Sequence, residues 1–292
     1  MTAAVRPDSV TIRPASPDDA AVCGRICYEA FRAIGAAHAF PPDLPVPEAG
    51  IGILTCLFSH PRHFCVVAEL DGRIVGSNCL DDRSSIKGVG PITVDPAVQN
   101  RRIGRLLMET VLEHARQRGA AGVRLVQAAF HNRSLALYNG LGFDVREPLS
   151  VMQGPALRRD TDGLPVRPAT SADLDACNLL CMRVHGMDRN GELSEAISAG
   201  TAVVVERHGR ITGYATIIAF FGHAVAESNA DLQALIGAAD SFQGPGILVP
   251  TRNAEMFRWC LAQGLRVVEP MTLMSLGLYN EPAGAYLPSI AY

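Results

Sequence analysis

Short stretches of this chain occur twice in the same order, and this internal repeat restricts the fold more than any other feature of the sequence. Arg13-Pro14-Ala15-Ser16 returns as Arg167-Pro168-Ala169-Thr170, and at the same offset Cys23 and Cys27 correspond to Cys177 and Cys181. Residues 72–76 return as 209–213, and residues 147–152 return as 269–274. The offset falls from 154 at Pro14/Pro168 to 122 at Glu147/Glu269, so the second copy is the shorter one. The chain is therefore predicted to contain two related lobes.

The length of the chain agrees with the repeat. Its 292 residues fit two domains of about 150 residues each. The repeat places the first domain at residues 1–154 and the second at residues 165–292. Residues 155–164 are predicted to be a linker, because this stretch is rich in charge, Gly and Pro and has no apolar periodicity.

Each copy begins with a predicted strand and a capped helix. Ser16-Pro17-Asp18-Asp19 opens the helix in the first copy, and Thr170-Ser171-Ala172-Asp173 opens it in the second. A hairpin turning at Asp71-Gly72 follows in the first copy. The predicted strands there are 10–13, 64–70, 73–80, 90–94, 123–129 and 144–152, and further helices are predicted at 99–118 and 134–141. This order predicts a mixed α/β (α+β) fold around a central mixed sheet.

Charge and composition exclude several classes of protein. A net charge of −3 gives no support to a nucleic-acid partner, which normally requires a basic surface. The first 13 residues lack the apolar run of a secretory signal, and the longest apolar stretch of the second half, 214–221, is too short to cross a membrane. The eight cysteines are too scattered for a disulfide scaffold, so reduced thiols in a cytoplasmic protein are predicted.

The repeated cysteines form i, i+4 pairs, so each pair shares one face of a predicted helix. A metal site would need further ligands, and only His185 extends the row in the second copy. Phe31 holds the equivalent place in the first copy, which favours packing. We therefore predict buried thiols and no bound metal.

The segment 92–105 combines the end of a strand, at Asp95-Pro96, with the start of a helix. The first N–H groups of a helix have no intrahelical partner, and together with the helix dipole they attract anions such as a pyrophosphate. Arg101, Arg102 and Arg105 add positive charge, and Gly104 lets the backbone come close to a ligand. Taken alone, the same pattern also fits a solvated basic helix start.

A second segment follows, in which Asn132-Arg133-Ser134 precedes Leu137-Tyr138 and a Gly142-Phe143 ending. Together the two segments resemble the GNAT superfamily of N-acetyltransferases. In that family a Gln/Arg-x-x-Gly-x-Gly/Ala turn binds the CoA pyrophosphate, and a later Asn…Leu-Tyr-x-x-x-Gly-Phe segment lines the other side of the cofactor. The resemblance covers nearly all of residues 9–153 and implies a tandem form whose second GNAT-like domain is degenerate.

The resemblance implies acetyl-CoA as the cosubstrate, lying in a V-shaped gap between the strands 90–94 and 123–129. Direct attack of an amine on the thioester is implied, without a covalent enzyme intermediate. The Val94 N–H would stabilise the thioester oxygen, and Tyr138 would be the partner of the leaving sulfur. The residues implied to contact the cofactor are Ile92, Thr93, Val94, Gln99, Asn100, Arg101, Arg102, Ile103, Gly104, Arg105, His131, Asn132, Ser134, Leu137 and Tyr138.

Two positions depart from the family pattern. Arg102 stands where the first family glycine usually lies, which is tolerated if Arg102 has helical backbone angles. His131 stands seven residues before the tyrosine, where the family often has an asparagine, and Asn132 follows it. Either residue of this pair could contact the cofactor.

The base that removes the amine proton is not identified by the sequence. Asp81 and Asp82 lie at the end of a strand that should border the acceptor cleft, and Glu29 lies on the first helix. All three are candidates, although each also fits a plain surface carboxylate. A water relay is an equal alternative.

The second copy differs from the first at the positions of the site. Cys260 stands in the place of Tyr138, Asn253 stands in the place of His131, and 221–240 contains no Gln/Arg-x-x-x-x-Gly turn. This copy is predicted to complete the fold, to shape the acceptor cleft or to mediate homodimer contacts. Its last segment, 279–292, contains three tyrosines and is predicted to be extended and to dock on the first copy.

Two functions from different classes follow from these patterns. The first is an N-acetyltransferase acting on a primary amine of a small metabolite or of a protein, with no nucleic-acid or membrane partner. The alternative is a CoA-binding sensor or a catalytically silent regulatory protein of the same fold, because Arg102, His131 and the second copy depart from the family pattern. A third option is another acyl donor, such as succinyl-CoA or propionyl-CoA.

Overall fold

The computed structural model describes residues 10–157 and 163–292. Within these ranges the chain divides into two compact units: unit 1 contains residues 10–82 and 87–120, and unit 2 contains residues 83–86 and 121–292. Two stretches lie outside the described residues: residues 1–9, part of the start that was predicted to carry no secretory signal, and residues 158–162 of the predicted linker.

Unit 1 has an antiparallel sheet in the order β1-β2-β3-β4, in which the short strand β5 also pairs with β3. Its core lies between the sheet and helices that follow β1. The elements are β1 (Val10–Pro14), α1 (Ala20–Ala37), α2 (Pro47–Ser59), β2 (His63–Leu70), β3 (Arg73–Asp81), β4 (Ile86–Val89), β5 (Thr93–Val94) and α3 (Ile103–Gln117).

Unit 2 contains two groups of paired strands, β6-β13-β7-β12 and β14-β11-β10-β9-β8. Its first elements are β6 (Gly122–Ala128), α4 (Asn132–Asn139), β7 (Asp144–Gln153), β8 (Val166–Pro168), α5 (Leu174–His185), α6 (Asn190–Ser198) and β9 (Val203–Arg207). The remaining elements are β10 (Arg210–Ala215), β11 (Ala224–Ala226), α7 (Asn229–Gly237), β12 (Ile247–Pro250), α8 (Ala254–Ala262), β13 (Arg266–Gly277) and β14 (Ala285–Leu287). Across the described residues, no helix combines the length and hydropathy needed to span a bilayer.

The last strand of each copy pairs with strands of the other copy. β13 lies between β6 and β7, so that Leu273 faces Val126 on one side and Glu147 on the other. β7 in turn pairs with β12, where Val151 faces Leu248. The two final strands are therefore exchanged between the copies, and the compact units do not follow the repeat. The domain limits derived from the repeat remain a prediction.

The start of the first copy is held by an arginine–carboxylate network. The Arg13 guanidinium donates to both carboxylate oxygens of Asp19, at 2.8 and 2.9 Å, and to Glu69 at 2.8 Å. Asp19 also accepts from the N–H and hydroxyl of Ser16, which closes a capping box ahead of α1. Hydrogen bonds from Arg13 lower the pKa of Asp19 to about 2.

The same network recurs at the start of the second copy. Arg167 donates to both oxygens of Asp173 at 2.8 Å and to Glu206 at 2.8 Å. Thr170 closes the capping box ahead of α5, as Ser16 does ahead of α1. A match of side-chain contacts, beyond the match of letters, confirms that the two segments are structural copies.

The predicted hairpin between β2 and β3 is confirmed. Asp71 and Gly72 have φ values of 53° and 75°, the left-handed pair of a type I′ turn. In the second copy His208 and Gly209, with φ values of 53° and 71°, make the same turn between β9 and β10. Both copies thus use the sequence x-Gly to reverse the chain.

Three elements differ by two residues or more from their predicted bounds. The strand predicted at 90–94 is interrupted, since β4 ends at Val89 and β5 comprises Thr93 and Val94 only. The helix predicted at 99–118 begins later, at Ile103. The helix predicted at 134–141 is α4, which runs from Asn132 to Asn139. The first two differences fall at the candidate site.

The repeated cysteine pairs lie in hydrophobic cores, as predicted. Cys23 and Cys27 pack with Leu54 in unit 1, and Cys177 and Cys181 lie in a core of unit 2. Burial raises the pKa of the Cys23 and Cys27 thiols to about 12. These thiols are therefore protonated packing groups at neutral pH.

Candidate functional site

A bulge interrupts the strand that was predicted to line the cofactor. Leu80 of β3 faces Val89, and Ser77 faces Thr93, so two residues of β3 stand opposite the three residues 90–92. The Gly90 N–H still donates to the Cys79 carbonyl, at 2.9 Å. Bulges redirect backbone groups and are common beside active sites. Ile92 lies in this bulge, outside the ladder formed by β3.

Gly76 allows β5 to approach β3 closely. A β-carbon at this position would lie 2.6 Å from the Thr93 carbonyl oxygen, which is shorter than real contacts permit. Sequence reasoning did not assign Gly76 to the site. Its presence in both copies, as Gly76 and Gly213, is the sequence signal that could have identified it. Gly213 is also crowded, because a β-carbon there would lie 2.8 Å from Val205 Cγ1.

The turn after β5 is built by two residues in the left-handed region. The Asp95 carboxylate accepts from the Ala97 N–H at 2.9 Å, and Gln99 Nε2 donates to the Val94 carbonyl at 3.1 Å. Asn100 and Arg102 have φ values of 67° and 64°. The condition under which an arginine is readily tolerated at position 102, right-handed helical backbone angles, is therefore not met. A non-glycine residue costs about 1–2 kcal/mol in this region, which explains why a glycine suits the position.

Helix α3 presents an N-terminus that its own residues leave open. The first turn, 103–106, contains no acidic residue, and the Arg102 side chain makes no capping hydrogen bond. The Leu106 N–H, which donates to the Arg102 carbonyl at 3.1 Å, is preceded by N–H groups that have no intrahelical acceptor. Arg101 and Arg102 are exposed, and Arg105 is half-buried beside Glu109 at 3.4 Å. The arrangement suits an anion.

Tyr138 is on α4 in unit 2 and is 7% exposed. Its ring packs near Phe143, with ring centroids 6.2 Å apart, and its carbonyl accepts from the Phe143 N–H at 3.0 Å. Burial raises the pKa of Tyr138 to about 12, against a smaller lowering by a hydrogen bond from Ser134. The phenol is therefore protonated at neutral pH and can donate a hydrogen bond as well as accept the one from Ser134.

Ser134 links Tyr138 to His131. The Ser134 hydroxyl makes a short contact with His131 Nδ1 as well as the hydrogen bond to Tyr138. These three residues share one side of the helix start, whereas Asn132 is exposed and Leu137 is half-buried. The predicted contact residues thus form two groups, one in the turn from Ile92 to Arg105 in unit 1 and one on α4 in unit 2.

The candidate bases differ in their surroundings. Asp82 is held by Lys87 at 2.5 Å and by Arg118 at 3.1 Å. Burial acts to raise the pKa of Asp82, but Lys87 and Arg118 outweigh it and the pKa is lowered. A carboxylate stabilised in this way is a poor base. Asp81 is half-buried at the end of β3, opposite His63, and Glu29 is exposed on α1.

The second copy fills the equivalent positions with its own side chains. Ser228 caps α7, and Asp231 in the first turn is 1% exposed and bound by Arg207 and Thr212. Asn253, in the place of His131, exchanges amide hydrogen bonds with Asn229 at 2.8 and 3.2 Å. Cys260, in the place of Tyr138, is fully buried. Among the described residues, no group of three or more His, Cys, Asp or Glu could hold a metal.

Residues 31–143 match the model of the acetyltransferase (GNAT) family. Over 63 residues the chain is 38% identical to mycothiol acetyltransferase of Nocardia farcinica, which covers 22% of this chain and 21% of that protein. The match thus spans about a fifth of that relative. Over 146 residues it is 25% identical to an uncharacterised N-acetyltransferase of Escherichia coli, covering 48% of this chain and 85% of that protein.

Solved structures are similar over almost the whole chain. A putative acetyltransferase from Pyrococcus horikoshii has a TM-score of 0.73 at 18% identity, covering 98% of this chain and 97% of the other. An N-acetyltransferase from Sphaerobacter thermophilus has a TM-score of 0.62 at 18% identity, covering 95% and 98%. At these identities the likeness concerns the fold. The predicted mixed α/β fold with tandem GNAT-like lobes is confirmed.

Proposed function

We propose that this chain transfers an acetyl group from acetyl-CoA to a primary amine, whose nitrogen attacks the thioester directly. One observation carries the proposal: α3 begins without an acidic residue of its own beside two arginines, which suits a pyrophosphate. The match of residues 31–143 to the GNAT family supports CoA as the donor. The acceptor is an amine of a small metabolite or of a protein, in the cytoplasm.

In this proposal the turn before α3 binds the diphosphate of the donor. N–H groups of Ile103, Gly104 and Arg105 are the donors, and Arg101 and Arg102 supply charge. The left-handed angle of Arg102 aims the following N–H groups along the helix axis. Gln99 and Asn100 complete the turn, with Gln99 tied to the Val94 carbonyl.

The strand ahead of that turn positions the thioester. Ile92 lies in the bulge, and Thr93 and Val94 form β5, so their backbone groups are proposed to pair with the pantetheine amides. The Val94 N–H is proposed to donate to the thioester oxygen as it gains charge. One preorganised donor of this kind contributes about 3–4 kcal/mol, and holding amine and thioester together contributes further.

Tyr138 is proposed to donate a hydrogen bond to the leaving thiolate. Its pKa of about 12 lies above the value of about 8.5 for an ordinary thiol, so complete proton transfer is uphill by about 5 kcal/mol. Stabilising the thiolate by a hydrogen bond is therefore the larger contribution. His131, Asn132, Ser134 and Leu137 are proposed to contact the donor from the same helix, and Ser134 also orients the phenol.

One proton must leave the attacking amine, and one must reach the thiolate. Asp82 is unsuited to accept the first, because Lys87 and Arg118 favour its ionised form. Asp81, Glu29 or a water molecule is proposed to accept it. The thiolate, stabilised by the hydrogen bond from Tyr138, is proposed to take its proton from solvent as CoA leaves.

The proposal is tested with the full chain in two steps. Calorimetry with CoA and acetyl-CoA measures binding, and release of free thiol from acetyl-CoA measures turnover across a panel of small amines and amine-bearing peptides. Saturable binding and amine-dependent thiol release are expected. Absence of binding to any CoA species would contradict the proposal.

A CoA-binding sensor is the second candidate, and two observations favour it. Arg102 occupies a strained left-handed position, and the phenol of Tyr138 is a weak acid. If CoA species bind but no amine gives thiol release above background hydrolysis, the sensor replaces the enzyme as the conclusion.

A further inference from the structure

Arg124 is a buried cation without a charged partner. It lies on β6 opposite Ser275 of β13 and is 2% exposed. Among the described residues its guanidinium makes no ion pair, and its Nε has no hydrogen-bond partner. Its contacts are the rings of Tyr279 and Tyr292, whose centroids lie 5.0 and 4.5 Å from Cζ. Burial lowers the pKa of Arg124 to about 10, so it is still charged at neutral pH.

The neighbouring charges are compensated, whereas that of Arg124 is not. Arg189, over the Tyr292 ring at 4.7 Å, is paired with Glu192. Arg146, over the Tyr279 ring at 5.1 Å, is paired with Asp144 at 2.9 Å.

The nearby buried carboxylate Glu147 is likewise neutralised, by Arg252 at 2.7 Å. Arg252 also binds Glu281 at 3.1 Å, so these ion pairs leave no positive charge over, and of the four arginines only Arg124 makes no ion pair among the described residues. Burying an unpaired ion costs several kcal/mol, which the binding of one negative charge would offset.

Neutral hydrogen-bonding groups surround this cation. The hydroxyls of Tyr279 and Tyr286 are buried and have no partner among the described residues. His185 Nδ1 is also buried without a described partner, and the His185 ring meets Tyr286 edge-on at 5.1 Å. Burial, then the charge of Arg124, lowers the pKa of His185, so the ring is neutral. The cluster thus offers one planar cation and two hydroxyl donors.

We infer that Arg124, Tyr279, Tyr286 and His185 form a binding site for a small molecule bearing a single carboxylate. The guanidinium fork matches the two carboxylate oxygens, and the two hydroxyls can donate to the same oxygens.

Sodium acetate is the probe, and the full chain is titrated at constant ionic strength, with sodium chloride as the balancing salt. A saturable rise in thermal midpoint and saturable heat in calorimetry are expected. Arg124→Gln should weaken acetate binding at least about tenfold, as for loss of a charge-assisted bidentate contact. Arg124→Lys keeps the charge and loses the planar guanidinium, so its affinity for acetate should lie between those of the parent and Arg124→Gln. Arg116→Gln, on the exposed side of α3, is the matched control and should bind as the parent does.

Tyr279→Phe and Tyr286→Phe keep the rings and remove the hydroxyls, and each should weaken acetate binding several-fold even if Arg124→Gln does not fold. Three outcomes would overturn the inference. One is no saturation with acetate, the second is equal binding in Arg124→Gln or in both phenylalanine variants, and the third is chloride or inorganic phosphate binding more tightly than acetate.

Discussion

The N-termini of α3 and α7 occupy equivalent places in the two copies and are satisfied in opposite ways. Ser228 and Asp231 belong to the chain itself and neutralise the start of α7, with Arg207 and Thr212 fixing the carboxylate. The start of α3 has neither a capping hydrogen bond from the Arg102 side chain nor an acid in its first turn. A helix terminus that is neutralised internally stabilises the fold, whereas one left open is available to a ligand.

The second difference concerns the helices that follow β6 and β12. Tyr138 ends a line of polar side chains through Ser134 to His131, whereas Cys260 is buried among apolar residues. Cys260 is fully buried, and a thiol is only a weak hydrogen-bond donor, so it does not substitute for the phenol. The same backbone thus supports a polar helix in one copy and a packing helix in the other.

The largest expected effect is a difference in turnover between a variant of Tyr138 and the matched variant of Cys260. Tyr138→Phe should lower amine-dependent turnover about 100-fold, within the range for loss of a positioned proton donor, because the thiolate loses its hydrogen bond. Cys260→Ala, the matched change in the second copy, should leave turnover unchanged. Steady-state thiol release and calorimetry with CoA measure both. Equal turnover in the two variants would contradict the role of Tyr138.

Asp231→Asn tests the start of α7, which side chains of the chain itself neutralise. The free energy of unfolding should fall by about 2 kcal/mol, because hydrogen bonds to a buried charge contribute about 1.5–3 kcal/mol. Urea denaturation measures this loss, and CoA affinity should not change. A change in CoA affinity without a loss of stability would reverse the assignment of the two helix starts.

Arg105→Glu tests the start of α3, which has no acid in its first turn. Placing an acid in the first turn of α3 imitates α7 and should weaken CoA binding about tenfold, because a negative charge then competes with the diphosphate at the helix terminus. Arg116→Glu makes the same change of charge at the other end of this helix and serves as the control. Calorimetry that finds equal affinities for the two variants would remove α3 from the binding site.

Arg102→Gly should have the smallest effect. Relief of the left-handed angle is partly cancelled by the greater freedom of glycine in the unfolded chain, so stability should rise by about 0.5–1 kcal/mol. Urea denaturation measures this gain. Asn132→Gly, at the exposed start of α4, is a control that lacks a positive φ and should not gain stability.

Local features of the fold could be predicted because short segments determine them. Asp71-Gly72 specifies a type I′ turn wherever it occurs between two strands, and Arg13 and Arg167 mark the two copies by identity alone. The strand exchange could not be predicted, because β7 and β13 carry nearly the same sequence pattern. Nothing local decides which of two similar strands pairs with β6.

The site was predictable in part for the same reason. Tyr138 and the turn near Gln99 are carried by motifs, whereas the angle of Arg102 depends on how the chain leaves β5 and could not be predicted from the sequence. Arg124 gave no signal in the sequence, since one arginine in a β-branched strand also fits an exposed face. Its burial is visible only once Tyr279 and Tyr292, distant in sequence, lie against it.

The exchanged strands also fix the order of events during translation. A ribosome releases β6 and β7 long before it reaches β13 at Arg266–Gly277, yet β13 lies between them. Until then, the first copy lacks the strand that lies between β6 and β7. A chain that ends before residue 266 therefore cannot complete this sheet. A fragment that ends after Tyr138 and before Arg266 would contain every proposed catalytic residue and would still lack β13.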